Sequence, residues 1–401
     1  MHLLTAPRLV ADGRQLAPGW LLADETVREY GEGEPPSRVW EAADDVEVLT
    51  EGVLAPGLVD MQINGAFGVD FASGDDDDWL DVARRLPSTG ATAFVPTFIT
   101  APLSDLAAGL EGYRARRSAL AAAPDAARVL GIHLEGPFLA ESRRGAHRAD
   151  LLCDPRTEHV DLLLEAGGDA LTYVTLAPER SGALDAIRRL TAAGVRVAVG
   201  HTDADEAIVR AAADAGATLV THLYNAQRPL RHRDPGTVGA GLTDDRLTCG
   251  LIVDLHHVAA TAVQIAFRCR PGRVALVTDA VAAMGMPEGE YELGGERLDV
   301  HPGEPPRRAD GTIAGSAARM DEAVANAVHR CGVDLVTAVE AATRVPAAAV
   351  GHDGLGVIGV GASADLVWLG DDLRARATWV GGTQVWSRPA EPRPAATGAA
   401  R

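Results

Sequence analysis

No lysine occurs in the 401 residues; all 37 basic side chains are arginine. The bias fits a genome rich in GC codons, and it has one chemical consequence. A Schiff-base lysine and a carboxylated-lysine metal bridge are both excluded. Cysteine is scarce too. Cys153, Cys249, Cys269 and Cys331 lie far apart and form no CxxC pair, which argues against a disulfide framework or a thiolate zinc site and for reduced thiols in the cytoplasm. No run approaches the roughly 18 apolar residues of a membrane span. The first residues, MHLLTAPRLVADGRQL, lack a basic stretch followed by an apolar core, so neither secretion nor a membrane partner is expected. Positive charge is in deficit as well, with a formal net charge of −19. That balance speaks against a nucleic-acid partner, which calls for a basic surface. It leaves room for an anionic small molecule in a locally positive pocket.

What the chain does contain is an ordered alternation. Apolar runs read as strands in GLVDMQI, ATAFVPTFI, VLGIHLEG, LTYVTLAP, VRVAVGHT, TLVTHLYN, TCGLIVDLHH and RVALVTDA. Helical periods such as ERSGALDAIRRLTAAG and TDADEAIVRAAADAG separate most of them. Buried strands alternating with helices pair in parallel, and eight such units predict an α/β fold, a (β/α)8 TIM-like barrel, over residues 56–354. Residues 1–55 and 355–388 read as short strands broken by turns, and are expected to join as a small β-sandwich domain. Residues 389–401 are rich in proline and alanine, and are expected to be disordered. Two segments resist the alternation. NAQRPLRHRDPGTVGAGLTDD, residues 225–245, reads as a long loop, and residues 290–317 read as a β excursion.

Polar residues fall where a barrel would use them. Glu135, His201, His222 and Asp279 end the third, fifth, sixth and eighth predicted strands, and strand C-termini converge on one mouth. Singly, each reads as a helix cap or a surface contact. Jointly, two imidazoles and a carboxylate suit a divalent metal ion, zinc or iron. Such an ion polarises a carbonyl and activates water. Asp279 is then the candidate to take the water's proton and pass it to a leaving amine, which amounts to amide hydrolysis without a covalent intermediate. His133 shares a strand face with Glu135 and reads as a filler of a lower barrel layer. Asp203 and Asp205 read as caps of the helix after His201, and the run Asp75–Asp78 as an acidic helix start.

The segments APGLVDMQINGAFG, HLEGPF, GHTDA, THLYNA, LVTDA and GTIAGSA occur in this order along the barrel. Together they resemble the N-acetylglucosamine-6-phosphate deacetylases of the amidohydrolase superfamily. The resemblance implies an enzyme that removes acetate from the 2-acetamido group of a sugar 6-phosphate, working as a homodimer. It implies Glu135, His201 and His222 as metal ligands and Asp279 as general base, then acid. It also implies His147, Asn225, Ala226 and His257 as substrate contacts, with Arg233 reaching the phosphate across a dimer interface. Two departures bear on the sugar. Gln227 replaces the usual methionine after LYNA, and the usual DGLHV reads DLHHV, with His256 in an apolar place. Another N-acetyl amino sugar, or a silent sugar-phosphate-binding barrel, stays open as an alternative. Many amidohydrolases end strand one in His-x-His, which holds a second metal; here the pair is Gln62 and Asn64. Carboxamides bind zinc weakly, so they are expected to support the floor of a site holding one metal ion per chain.

Overall fold

The computed structural model describes residues 1–389; the tail expected from residue 389 lies, apart from Pro389, outside the described residues. Eight barrel strands, numbered β1 to β8, span Leu58–Ile63, Ala91–Ile99, Ile132–Glu135, Leu171–Leu176, Arg196–Val199, Leu219–Val220, Thr248–Ile252 and Val274–Val277. Each is parallel to the next. Strand β2 is buried along all but its last residue, because helices cover its outer face and the barrel interior covers the other. The ring closes between β8 and β1 through the Ile63–Ala280 bridge and an Asp279 N–H bond to the Gln62 carbonyl, 2.9 Å. Asp60 staples this seam by accepting from the Thr278 amide, 3.2 Å, and from the Thr278 hydroxyl. Burial pushes the Asp60 carboxyl up to about 7 against the pull of those bonds.

The barrel is filled, not hollow. Met61, Val95, Tyr173, Ala198, Leu219 and Ile252 pack with Val345 and Val350. The last two come from helix Arg344–Ala349 and its C-terminal cap, which closes the end of the barrel near Val59 and Ala93. His133 lies in this filling. It stacks on Tyr173 with ring centroids 3.8 Å apart and bonds Thr97 and Thr175 at 3.0 and 2.8 Å. Burial depresses its imidazole to about 3, so the ring stays neutral.

The chain's two ends meet in two further sheets. One holds His2–Ala6, Gly19–Ala23, Val27–Glu32 and Asp45–Val48; the other joins Leu9–Ala11, Arg14–Leu16 and Val53–Pro56 to Leu366–Leu369, Ala375–Val380 and Thr383–Ser387. Leu4, Leu21, Leu54, Leu366 and Trp379 share one buried cluster between them. After β8, the predicted β excursion is an antiparallel hairpin, Gly289–Leu293 with Glu296–Val300, with a small apolar core of its own. The predicted loop over residues 225–245 is corrected in its second half, where Gly236–Thr243 is a helix, buried from Gly236 to Leu242. Glycine costs a helix interior roughly 1 kcal/mol, which hides such a helix from propensity. The close packing leaves little room for a side chain: a Cβ on Gly241 would meet Leu223, Cys249 and Val220 side chains at 3.2 to 3.4 Å. No helix among the described residues is long and apolar enough to cross a membrane.

Candidate metal centre and substrate cleft

Glu135 is the last residue of β3, whereas His201, His222 and Asp279 each follow their strand's end by two residues. All three of these have left-handed backbone, with φ of 46°, 25° and 49°. For non-glycine residues this region is sparsely populated and costs roughly 1–3 kcal/mol each. The chain leaves the sheet at these turns, at the barrel mouth. Gly200 permits the turn before His201, since a Cβ there would lie 2.7 Å from Thr221 Cβ and 2.8 Å from Thr175 Cγ2.

Three donor atoms converge. Glu135 Oε1 lies 3.1 Å from His201 Nε2 and 2.9 Å from His222 Nε2, and the two nitrogens are 3.1 Å apart. All three side chains are buried. The His201 Nδ1–H donates to the Arg143 carbonyl at 2.9 Å, so in the neutral ring Nε2 presents a lone pair. A carboxylate oxygen and two ring nitrogens around one point repel unless a cation sits among them. Their spacing is close to the ~3.3 Å edge of a zinc tetrahedron with bonds of ~2.0–2.1 Å. The donor set fits a divalent metal. The metal-free protein satisfies it with a proton: burial opposes charge on His222, but the Glu135 carboxylate outweighs this and lifts the imidazole to about 9. Burial alone would raise Glu135, yet its bonds from His201 and His222 hold the carboxyl well below the usual range. A His147 ring nitrogen also lies within 4.8 Å of ligand atoms of Glu135 and His201, but His222 makes the closer approach.

Asp279 stands beside this triangle without joining it. Its Oδ1 accepts from Asn64 Nδ2 at 2.8 Å and Gln62 Nε2 at 3.2 Å, and Gln62 Nε2 also lies 3.3 Å from Glu135 Oε1. Gln62 thus bridges both carboxylates, and Asn64 holds Asp279. Burial first, and the Glu135 charge second, raise Asp279 to about 6. Such a pKa suits a group that must take a proton and return it near neutral pH.

A cleft of about 330 Å³ opens above these residues. His147, Asn225, Ala226, His256 and His257 line it together with Glu135, His201, His222, Asp279 and Asn64. Thr100 donates its amide N–H to His147 Nδ1 at 3.3 Å, which leaves the proton of the neutral ring on Nε2. Burial holds this ring near 3. His257 is oriented by Asp254, with Nδ1 2.6 Å from Oδ2.

Arg233 is not brought to this cleft by its own chain; it is exposed on the loop beside the Arg228–Asp234 pair. Gln227 does not face the cleft either. It is buried, accepts from the Tyr224 amide at 3.1 Å and donates to the Thr221 carbonyl at 2.7 Å, so it braces the turn carrying His222. His256 alone of the two departures reaches the cleft, at an exposed position. Asp205 caps helix Glu206–Ala215, but Asp203 does not; it takes both Arg143 Nε and Nη2, at 2.9 and 2.7 Å. That pairing fixes the segment whose carbonyl holds His201. Arg143 and Asp254 escaped sequence reasoning, although each sits close to a histidine that was singled out.

The Amidohydrolase family model matches residues 53–385. A Bos taurus N-acetylglucosamine-6-phosphate deacetylase is 41% identical over 346 residues, 83% of this chain and 83% of that protein. An Escherichia coli O157:H7 N-acetylgalactosamine-6-phosphate deacetylase is 38% identical over 389 residues, 95% of this chain and 98% of that protein. Among solved structures, an N-acetyl-D-glucosamine-6-phosphate deacetylase mutant from Mycobacterium smegmatis, in complex with N-acetyl-D-glucosamine-6-phosphate, superposes with a TM-score of 0.89. It is 39% identical and covers 96% of this chain and 99% of its own.

Proposed function

Because the chain belongs to the N-acetylglucosamine-6-phosphate deacetylase family of the amidohydrolases, we propose that it hydrolyses N-acetylglucosamine 6-phosphate to glucosamine 6-phosphate and acetate. The observation that carries this reading is the Glu135–His201–His222 triangle beside a clamped, raised-pKa Asp279 in one cleft. Glu135, His201 and His222 would hold one divalent ion, zinc or iron, which when bound supplies Lewis-acid polarisation of the acetamido carbonyl and makes water a better nucleophile.

The remaining work falls to the chain's own residues. His147, carrying its proton on Nε2, donates toward the acetamido group from the cleft wall. Ionised Asp279 takes a proton from the attacking water, and the protonated carboxyl then delivers it to the amide nitrogen as the C–N bond breaks. Gln62 and Asn64 keep the Asp279 carboxylate pointed at that transfer. Incubating the purified protein with substrate and divalent metal should release equimolar acetate and glucosamine 6-phosphate, and elemental analysis should find one metal per chain. Two tightly bound metals would show that Gln62 and Asn64 do more than support.

Arg233 would serve the phosphate of a partner subunit in a homodimer, since its own cleft does not include it. Arg233→Ala should raise KM for the 6-phosphate about tenfold or more with little change in kcat, consistent with loss of a charge-assisted phosphate contact. An unchanged KM refutes the assignment.

A second reading keeps the chemistry and changes the sugar. The relative that acts on N-acetylgalactosamine 6-phosphate matches nearly the whole chain, and His256 gives the cleft mouth a polar group. Rates on the two epimeric 6-phosphates, with and without His256→Leu, separate these readings. A silent ligand-binding barrel is not favoured, because every ligand and base position is filled. The free cysteines suit a cytoplasmic setting.

A further inference from the structure

Asn64 is 2% exposed and lines the cleft, yet its carbonyl oxygen Oδ1 is buried without a hydrogen-bond partner among the described residues. Its orientation is not ambiguous. An ionised carboxylate only accepts, so the edge of the carboxamide 2.8 Å from Asp279 Oδ1 must be the NH2 group. The opposite edge is therefore an acceptor, buried beside the general base and left without a partner. An unpaired buried carbonyl is destabilising, a cost that vanishes when a ligand brings a donor. The clamp on Asp279 explains the amino edge of Asn64; it does not explain the oxygen.

The deacetylation proposed above, on which this inference rests, brings one donor to that place. A secondary amide carries a single N–H on the atom that Asp279 must protonate. We propose that Asn64 Oδ1 accepts the N–H of the scissile amide, so that one carboxamide aligns both the acid and the nitrogen it protonates. The proton from Asp279 enters the nitrogen's developing lone pair, out of the amide plane, while the in-plane N–H stays on Asn64. The pairing also selects the bond. An ester oxygen in place of the N–H would set lone pair against lone pair, so the site discriminates amides from esters of the same shape.

The test compares two substrates on one variant. Asn64→Ala and wild type are assayed on the 2-acetamido sugar 6-phosphate and on its 2-O-acetyl ester analogue. Loss of the clamp on Asp279 slows both substrates. Loss of the acceptor slows only the amide. The expected result is a fall in kcat/KM at least tenfold larger for the amide than for the ester, with metal content and melting temperature at wild-type values. Equal losses on the two substrates overturn the inference. So does loss of the metal from a folded variant, which would assign Oδ1 to the ion. If Asn64→Ala does not fold, Asn64→Ser is read by the same ratio. A wild-type protein that releases no acetate from the amide overturns the deacetylase reading and this inference together; turnover with equal losses overturns only the latter.

Discussion

Asp279→Asn is expected to lower kcat by roughly 10²- to 10⁴-fold, the span that general acid–base groups supply. KM and metal content should stay near wild type, because Asp279 touches the donor triangle only through Gln62. The substitution keeps size and shape but cannot hold the water's proton. The pH profile gives a second readout. The carboxyl works ionised, and burial with the neighbouring Glu135 charge raises it to about 6. Wild-type kcat should therefore rise with pH and level off above about 6, with the cation in place moving this limb lower. The residual rate of the variant should lack the limb. A variant that keeps both full rate and acid limb would remove Asp279 from proton transfer.

The second large effect belongs to Glu135. Glu135→Gln keeps the volume but removes the only carboxylate in the donor triangle. Metal affinity should fall by more than the ~10–100-fold that loss of an outer partner costs, and activity should fall to that of metal-stripped protein. The pH dependence of binding carries a definite sign. In the metal-free protein, His222 is raised above its ordinary 6.5 to about 9 by its Glu135 partner. That pairing stabilises the fold below the ordinary value and is lost as pH rises through about 9. A metal must displace the same proton, so wild-type affinity should strengthen about tenfold per pH unit from 7 toward 9. In Glu135→Gln the dependence over this interval should flatten. Competition with a metal-responsive chelator at pH 7 and pH 8 measures both.

Much of the site was legible in the sequence because barrel geometry converts separation along the chain into proximity. Four chemically apt residues at four predicted strand ends needed only the barrel to meet, and Glu135, His201, His222 and Asp279 line one cleft. What escaped depends on contacts that no local pattern encodes. The proton position on His201 is set by the carbonyl of Arg143, 58 residues away, and Arg143 is in turn held by Asp203. Asp203 has the composition and place of a cap, so its tertiary use could not be read locally. Gln227 suggested an altered pocket by its identity alone, whereas its hydrogen bonds turn it into the wall. The buried helix Gly236–Thr243 hid behind three glycines, each closely approached by neighbouring atoms in the fold.

The junction between the chain's two ends bears on how the molecule is made. Val53–Pro56 leads directly into β1, and its partner in the sheet is Leu366–Leu369, synthesised some 300 residues later. Such pairing carries a large loop-closure cost. On a ribosome, the segment that introduces the first barrel strand has to wait, one edge unpaired, until the chain is almost complete. Completion of the terminal sheet is therefore a late event, and a growing chain would expose an apolar strand edge for most of its synthesis.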